Sequence, residues 1–288
     1  MADLRYPKSK VEMVQRNYPC KISHFLEAHG IPNVLWGELV MNMFLIPVVP
    51  DGIYFVIPDE HIDKARDLLV AAGFPPCQLG KNMVQIPANG ICLYKKSELL
   101  WGAPEIPLGP PPLNDPDYWT INDERLPEVY RGFQQGRVVE ADYPVKIPAP
   151  ARYAESLTLL FFRDNSPEET VRGSNWDYLL MDMEVVLMKH RLFELKDLPP
   201  RTRSWFNILI HNPGERTYGD AEDRFGAEMR KSGEVPEKSP WPSEFRMPPG
   251  WREELKRWEE EAEQKRKKKE EEEQRRKTEE EVKEEQNV

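Results

Sequence analysis

The chain reads as an α+β protein: a small mixed sheet flanked by helices, followed by a charged C-terminal tail that is helical or disordered. Three observations carry that expectation. Ile53–Ile57 is a short β-branched and aromatic run of strand type. On either side of it apolar residues recur at helical spacing, Ile22, Phe25, Leu26 and Ala28 before it and Ile62, Ala65, Leu68, Leu69 and Ala72 after it. From Trp251 onward hydrophobic residues almost vanish. With 288 residues, 39% of them hydrophobic and 10% aromatic, the chain can bury a core in one large or two small domains.

Taken in order, the first helix runs through Ile22 and Phe25 and ends at Gly30, the position of a left-handed C-terminal cap. A strand over Asn33–Trp36 follows, then a Met-rich helix over Glu38–Leu45 punctuated by Pro47 and Pro50. After the strand Ile53–Ile57, Asp59 is placed to cap the next helix, which closes at Gly73. Met83–Ile86 and Gly90–Lys95 read as a strand pair around Ala88–Asn89–Gly90. The Pro-rich segment 104–116 excludes regular helix and reads as an extended crossing strap, or else as a PxxP ligand at Pro104–Pro107.

Beyond the strap, Tyr143–Ile147 has strand character and Ala154–Arg163 is a helix. Ser166–Pro167–Glu168–Glu169 combines a capping box with proline at the first helical position. Ser174 starts a helix through Tyr178, Met181, Val185 and Met188, and Ser204–His211 forms a short one. These helices are expected to pack beside the sheet and complete one core over 1–212. An irregular Gly/Pro/charge-rich linker over 213–250 and a charged tail over 251–288 follow. In the tail, Trp251, Leu255, Trp258 and Ala262 make a brief apolar stripe, too short for a coiled coil. Two indoles and a leucine on one helix face are costly to leave wet, so Trp251, Leu255 and Trp258 are the candidate interaction residues, docking on the chain's own domain or on a protein partner.

In the order strand, Gly37–Glu38, helix, strand, Pro58–Asp59, helix, Gly73, the stretch from Asn33 to Phe74 resembles the core of the nucleotidyltransferase fold. The resemblance extends over about half of the chain, Val11 to Arg163, and lies in the layout more than in the motifs. It implies chemistry in which carboxylates hold two magnesium ions about 3.5–4 Å apart on a nucleoside triphosphate. In that family two acidic residues alternate on one strand, a third comes from a later strand, and a glycine turn lets the backbone approach the phosphates.

Laid on that pattern, Gly37 and Glu38 are the candidate nucleotide-binding positions, with Glu38 standing where a small residue would make room for phosphate. The strand positions that should be acidic fall on Gly52 and Tyr54, and Asp51 is one residue out of phase unless a bulge at Gly52 turns it. Neither Gly90–Lys95 nor Tyr143–Ile147 supplies a central acid, and the latter offers Lys146. The degenerate layout is similar to that of a broad group of fungal nucleotidyltransferase-like proteins of unassigned role. The resemblance therefore implies a catalytically silent protein that acts through binding and takes no cofactor or metal. Its alternative is a divergent transferase in which the candidate catalytic residues Glu38 and Asp51, with Glu140 or Asp142, hold magnesium and a nucleoside triphosphate and pass the nucleotide to an unknown acceptor.

Other chemistries have weaker support. His24 and His29 share a helix without the i, i+4 spacing that lets two imidazoles hold one ion. No serine lies in a G-x-S-x-G context and no G-x-G-x-x-G is present. Cys20, Cys77 and Cys92 are far apart and lack metal spacing, which predicts reduced thiols and an intracellular protein, cytoplasmic or nuclear. The net charge of −10 argues against a nucleic-acid backbone as partner, and the basic block Lys265–Lys269 is flanked by glutamates. No basic start with an apolar stretch opens the chain, and its longest apolar runs, Leu39–Val49 and Leu157–Phe162, are too short for a membrane span.

Overall fold

The computed structural model describes residue 4 and residues 17–50, 52–74, 83–84, 90–128, 135–166, 170–171, 176–211, 220–237, 239–240, 247–248, 250–251, 254, 257–258, 261 and 264–268. Two compact units divide the chain, Met1–Ser166 with Gly173–Pro240, and Pro167–Arg172 with Trp241–Val288.

In the first unit the elements run α1 (Tyr18–Ala28), β1 (Val34–Trp36), α2 (Glu38–Met43), β2 (Ile53–Ile57), a 3-10 turn at Asp59–His61, α3 (Ile62–Ala71), β3 (Met83–Val84), β4 (Ile91–Lys95) and α4 (Lys96–Leu99). The class is the expected one, α+β with a small mixed sheet flanked by helices. Helix α1 buries Ile22 and Leu26, and it closes where the sequence places the cap. Gly30 N–H donates to Glu27 O at 2.9 Å and Ile31 N–H to Leu26 O at 3.0 Å. Bonds from Gly73 to Val70 O (3.0 Å) and from Phe74 to Leu69 O (3.1 Å) close α3 in the same manner.

The four strands lie in the order β1-β2-β4-β3. Strand β1 is antiparallel to β2 with Trp36 opposite Tyr54, and β4 is parallel to β2 with Cys92 opposite Tyr54. Parallel neighbours need a crossover, which runs through α3 and β3. Phe55, Val56 and Ile57 are fully buried, so the central strand is covered on both faces. Strand β3 pairs antiparallel with β4, as the strand pair predicts, while the residues of its turn lie outside the described set apart from Gly90.

Asp59 caps a different helix from the one expected. Pro58 occupies the N-terminal flank of the 3-10 turn in extended conformation. The Asp59 carboxylate instead reaches across to α4, where Ser97 N–H donates to it at 3.0 Å and Ser97 Oγ at 2.5 Å.

Residues 104–116 form no helix or strand. Within the segment Ile106 is buried, Pro104 O accepts from the Tyr118 hydroxyl at 2.7 Å, and Gly109 O accepts from Lys146 Nζ at 2.9 Å. Tyr118 belongs to β5 (Tyr118–Thr120), which pairs antiparallel with β6 (Lys146–Pro148). Lys146 points into the protein rather than into any ligand site. Its side chain is 1% exposed and ion-paired with Glu27 of α1, which also accepts from the Tyr143 hydroxyl. Burial lowers the Lys146 pKa, against the opposing pull of Glu27.

Helices α5 (Pro150–Asp164), α6 (Trp176–Val185, continued by a π-turn over Val186–His190) and α7 (Pro200–His211) follow. On α6 the inward face differs from the expected row. Leu180, Met183, Val186 and Leu187 are buried, and Tyr178, Met181, Val185 and Met188 face solvent. Nor does folded structure stop at 212. Helix α8 (Asp220–Lys231) lies inside the stretch read as an irregular linker, and the first unit continues to Pro240.

Three contacts explain why the chain returns. Phe225 packs 5.5 Å from the Trp205 ring, which itself lies 4.8 Å from Phe162. Arg230 Nη2 donates to Phe162 O at 2.7 Å and Asn165 O at 2.8 Å, satisfying carbonyls at the end of α5. Buried Asp164 accepts from Arg163, from Trp176 Nε1 at 2.8 Å and from Ser239 Oγ at 2.8 Å. A Cβ at Gly226 would stand 3.3 Å from Phe162 Cδ1, so the glycine permits this close approach of α8 to α5.

In the second unit Met247 N–H donates to Thr170 O at 2.7 Å, and Trp251 opens a helical stretch. Trp251 is half-buried and Trp258 is 62% exposed. Leu255 and Ala262 of the predicted stripe, and the capping-box residues Pro167–Glu169, lie outside the described residues. Among the described residues no helix is long and apolar enough to cross a membrane.

Candidate functional site

Gly37 sits where β1 hands over to α2, with φ +79° and ψ −152°. That region of backbone space is open essentially to glycine alone. The phosphate-binding reading takes such a glycine as room for an anion. Here the room is filled by a side chain. A Cβ at Gly37 would lie 2.6 Å from Cδ2 of Tyr54, and one at Gly52 would lie 3.2 Å from Cε1 and Cζ of the same ring. The Tyr54 ring therefore lies across both glycines.

Among the described residues, the positions opposite Tyr54 across the sheet carry no carboxylate. Across the sheet from Tyr54 stand Trp36 and the buried thiol Cys92, with Tyr94 two residues further along β4 and its ring 6.1 Å from Tyr54. A phenol, an indole and a thiol offer magnesium none of the hard anionic oxygens it requires.

Glu38 begins α2 and is partly exposed. Its charge acts on Tyr153, a fully buried phenol whose ring lies tilted 4.4 Å from that of Trp36 and whose hydroxyl donates to Gly37 O at 3.5 Å. Burial first, then Glu38 and to a smaller degree Asp182, push the Tyr153 pKa well above its ordinary value. That keeps Tyr153 a neutral donor. Its hydroxyl links α5 to the glycine turn.

Asp51 lies outside the described residues. Glu140 and Asp142 are associated with the start of α1, where Asn17 Nδ2 donates to Glu140 O at 3.1 Å. Burial, aided by the Asp142 charge, raises the nearby Cys20 thiol to about 11, which makes it inert at neutral pH. Among the described residues no three His, Cys, Asp or Glu side chains converge as a metal-binding group. His24 stacks on Tyr143 at 4.6 Å and His29 Nδ1 bonds Phe25 O at 2.7 Å, so both histidines are engaged locally.

One charged cleft was not legible in the sequence. It encloses about 300 Å³ and is lined by Asp117, Arg152, Glu155 and Asp197 among apolar neighbours. Arg152 bridges Asp117 and Glu155. Burial raises the Glu155 pKa against the opposing pull of Arg152. Its residues come from three separated segments, so no local spacing announces the cluster.

No protein-family model matches the chain, and a search of curated proteins finds no match. Two solved structures are similar in part. The solution structure of the antibiotic-resistance factor ANT(2'')-Ia shares 15% identity at a TM-score of 0.36, covering 70% of this chain and 97% of that one. The crystal structure of ANT(2'')-Ia in complex with adenylyl-2''-tobramycin shares 14% identity at a TM-score of 0.39, covering 68% of this chain and 98% of that one. A likeness of this size carries no functional information about the chain.

Proposed function

We propose that this chain is a catalytically silent protein with a nucleotidyltransferase-like core that acts through binding. The element order supports the core assignment: strand, glycine turn, helix, strand, helix, with a parallel third strand beside the second. The observation that carries the silence is the Tyr54 ring lying across Gly37 and Gly52. Two-metal transfer needs carboxylates at those strand positions and free backbone donors at the turn. With the ring against the Cα of both glycines and no carboxylate on β2, binding is the role that we assign. The 62% exposure of Trp258 supports the tail stripe of Trp251, Leu255 and Trp258 as the surface that meets a protein partner.

The test is pyrophosphate release by the full chain from ATP, GTP, CTP and UTP with magnesium or manganese. No release above the buffer rate is expected. Release that Glu38→Gln or Asp51→Asn abolishes would restore the alternative of a divergent magnesium-dependent nucleotidyltransferase.

A further inference from the structure

Helix α6 buries one face and leaves an apolar row on the other. Tyr178, Met181, Val185 and Met188 are exposed at 66%, 46%, 39% and 56%. Spaced three, four and three residues apart, they follow one side of the helix and its π-turn. A contiguous apolar row with two flexible methionines is the composition of a docking surface rather than of a solvated face.

The charges beside the row are graded along it. Asp177 and Asp182 lie towards its amino end and Lys189 and Arg191 towards its carboxyl end, with Glu184 between them beside Val185. A second helix of this sequence laid antiparallel sets acidic end against basic end and opposes the two macrodipoles. Laid parallel, it would set like charge against like. The row is thus complementary to itself in one orientation only, which is the requirement for an isologous two-fold contact.

We propose that the exposed face of α6 is the interface of a homodimer in which two copies pair antiparallel about an axis near Val185. Met181 of each copy packs on Met188 of the other, and Asp182 of each faces Lys189 of the other. One helix per copy covers less than the roughly 1,200–2,000 Å² of a standard interface, so the dimer is weak and salt-sensitive. This inference does not depend on whether the core is catalytically silent.

The test is sedimentation equilibrium of the full chain over a wide concentration range. The natural chain is expected to show a monomer–dimer equilibrium. Met181→Glu should remain monomeric with an unchanged far-UV spectrum, since position 181 is exposed. Asp182→Lys and Lys189→Glu each turn two attractive pairs into repulsive ones, so each alone should dimerise about tenfold more weakly. An equimolar mixture of the two variants should regain the natural affinity, because every facing pair is again opposite in sign. A chain monomeric throughout would overturn the proposal. So would a dimer unaffected by these substitutions, or variants that fail to complement one another.

Discussion

Replacing Gly37 by alanine probes the glycine turn directly. Two separate costs are expected. The backbone there is at φ +79° and ψ −152°, a region that costs a residue with a Cβ about 1–3 kcal/mol. The new methyl would also stand 2.6 Å from Tyr54 Cδ2. Forcing such a group into a packed site adds about 1–3 kcal/mol. Gly37→Ala should therefore lose roughly 2–6 kcal/mol, read as a lower urea midpoint at unchanged slope. The clash term disappears if the ring is removed. In a Tyr54→Ala background Gly37→Ala should cost only the backbone part, a coupling of about 1–3 kcal/mol in the double-mutant cycle. Equal costs in both backgrounds would refute the account of Gly37 as the seat of the Tyr54 ring.

Lys146→Met should cost about 3–5 kcal/mol in urea unfolding, because it strands the buried Glu27 carboxylate. Adding Glu27→Gln should recover part of that loss. Glu155 holds its proton to a higher pH in the folded chain than the ordinary 4.5. In the interval above 4.5 the folded state therefore binds more protons than the unfolded one, and stability falls as pH rises through it. The melting temperature of the natural chain relative to Glu155→Gln should accordingly decline between pH 4 and neutrality, about the window that shift opens. Arg230→Met, which unbonds the carbonyls of Phe162 and Asn165, should destabilise by about 1.5–3 kcal/mol. If the linker reading of 213–250 were right instead, that substitution would be silent.

How far the sequence carried the fold varies from element to element. Ile53–Ile57 was legible because a β-branched run bounded by Gly52 and Pro58 has one reading, and α3 because its apolar face ends at a glycine. Helix α6 was legible as a helix but not in its orientation. Apolar residues occur on most of its circumference, so periodicity alone could not choose between the Tyr178 row and the Leu180 row. Helix α8 was obscured by its charge and by Gly226, and its support comes from partners earlier in the sequence, the Trp205 ring and the carbonyls of Phe162 and Asn165. At the candidate site, the positions Gly37, Gly52 and Tyr54 followed from the layout. Their relation did not: only the packed structure places one ring over both glycines. The cleft at Arg152 escaped because its carboxylates come from separate segments.

The most direct measurement is isothermal calorimetry of the full chain with each of the four nucleoside triphosphates, with and without magnesium. The account predicts no magnesium-dependent heat for any of them, since Tyr54 fills the turn and the strand lacks its carboxylates. Magnesium-dependent binding that Glu38→Ala removes would contradict it.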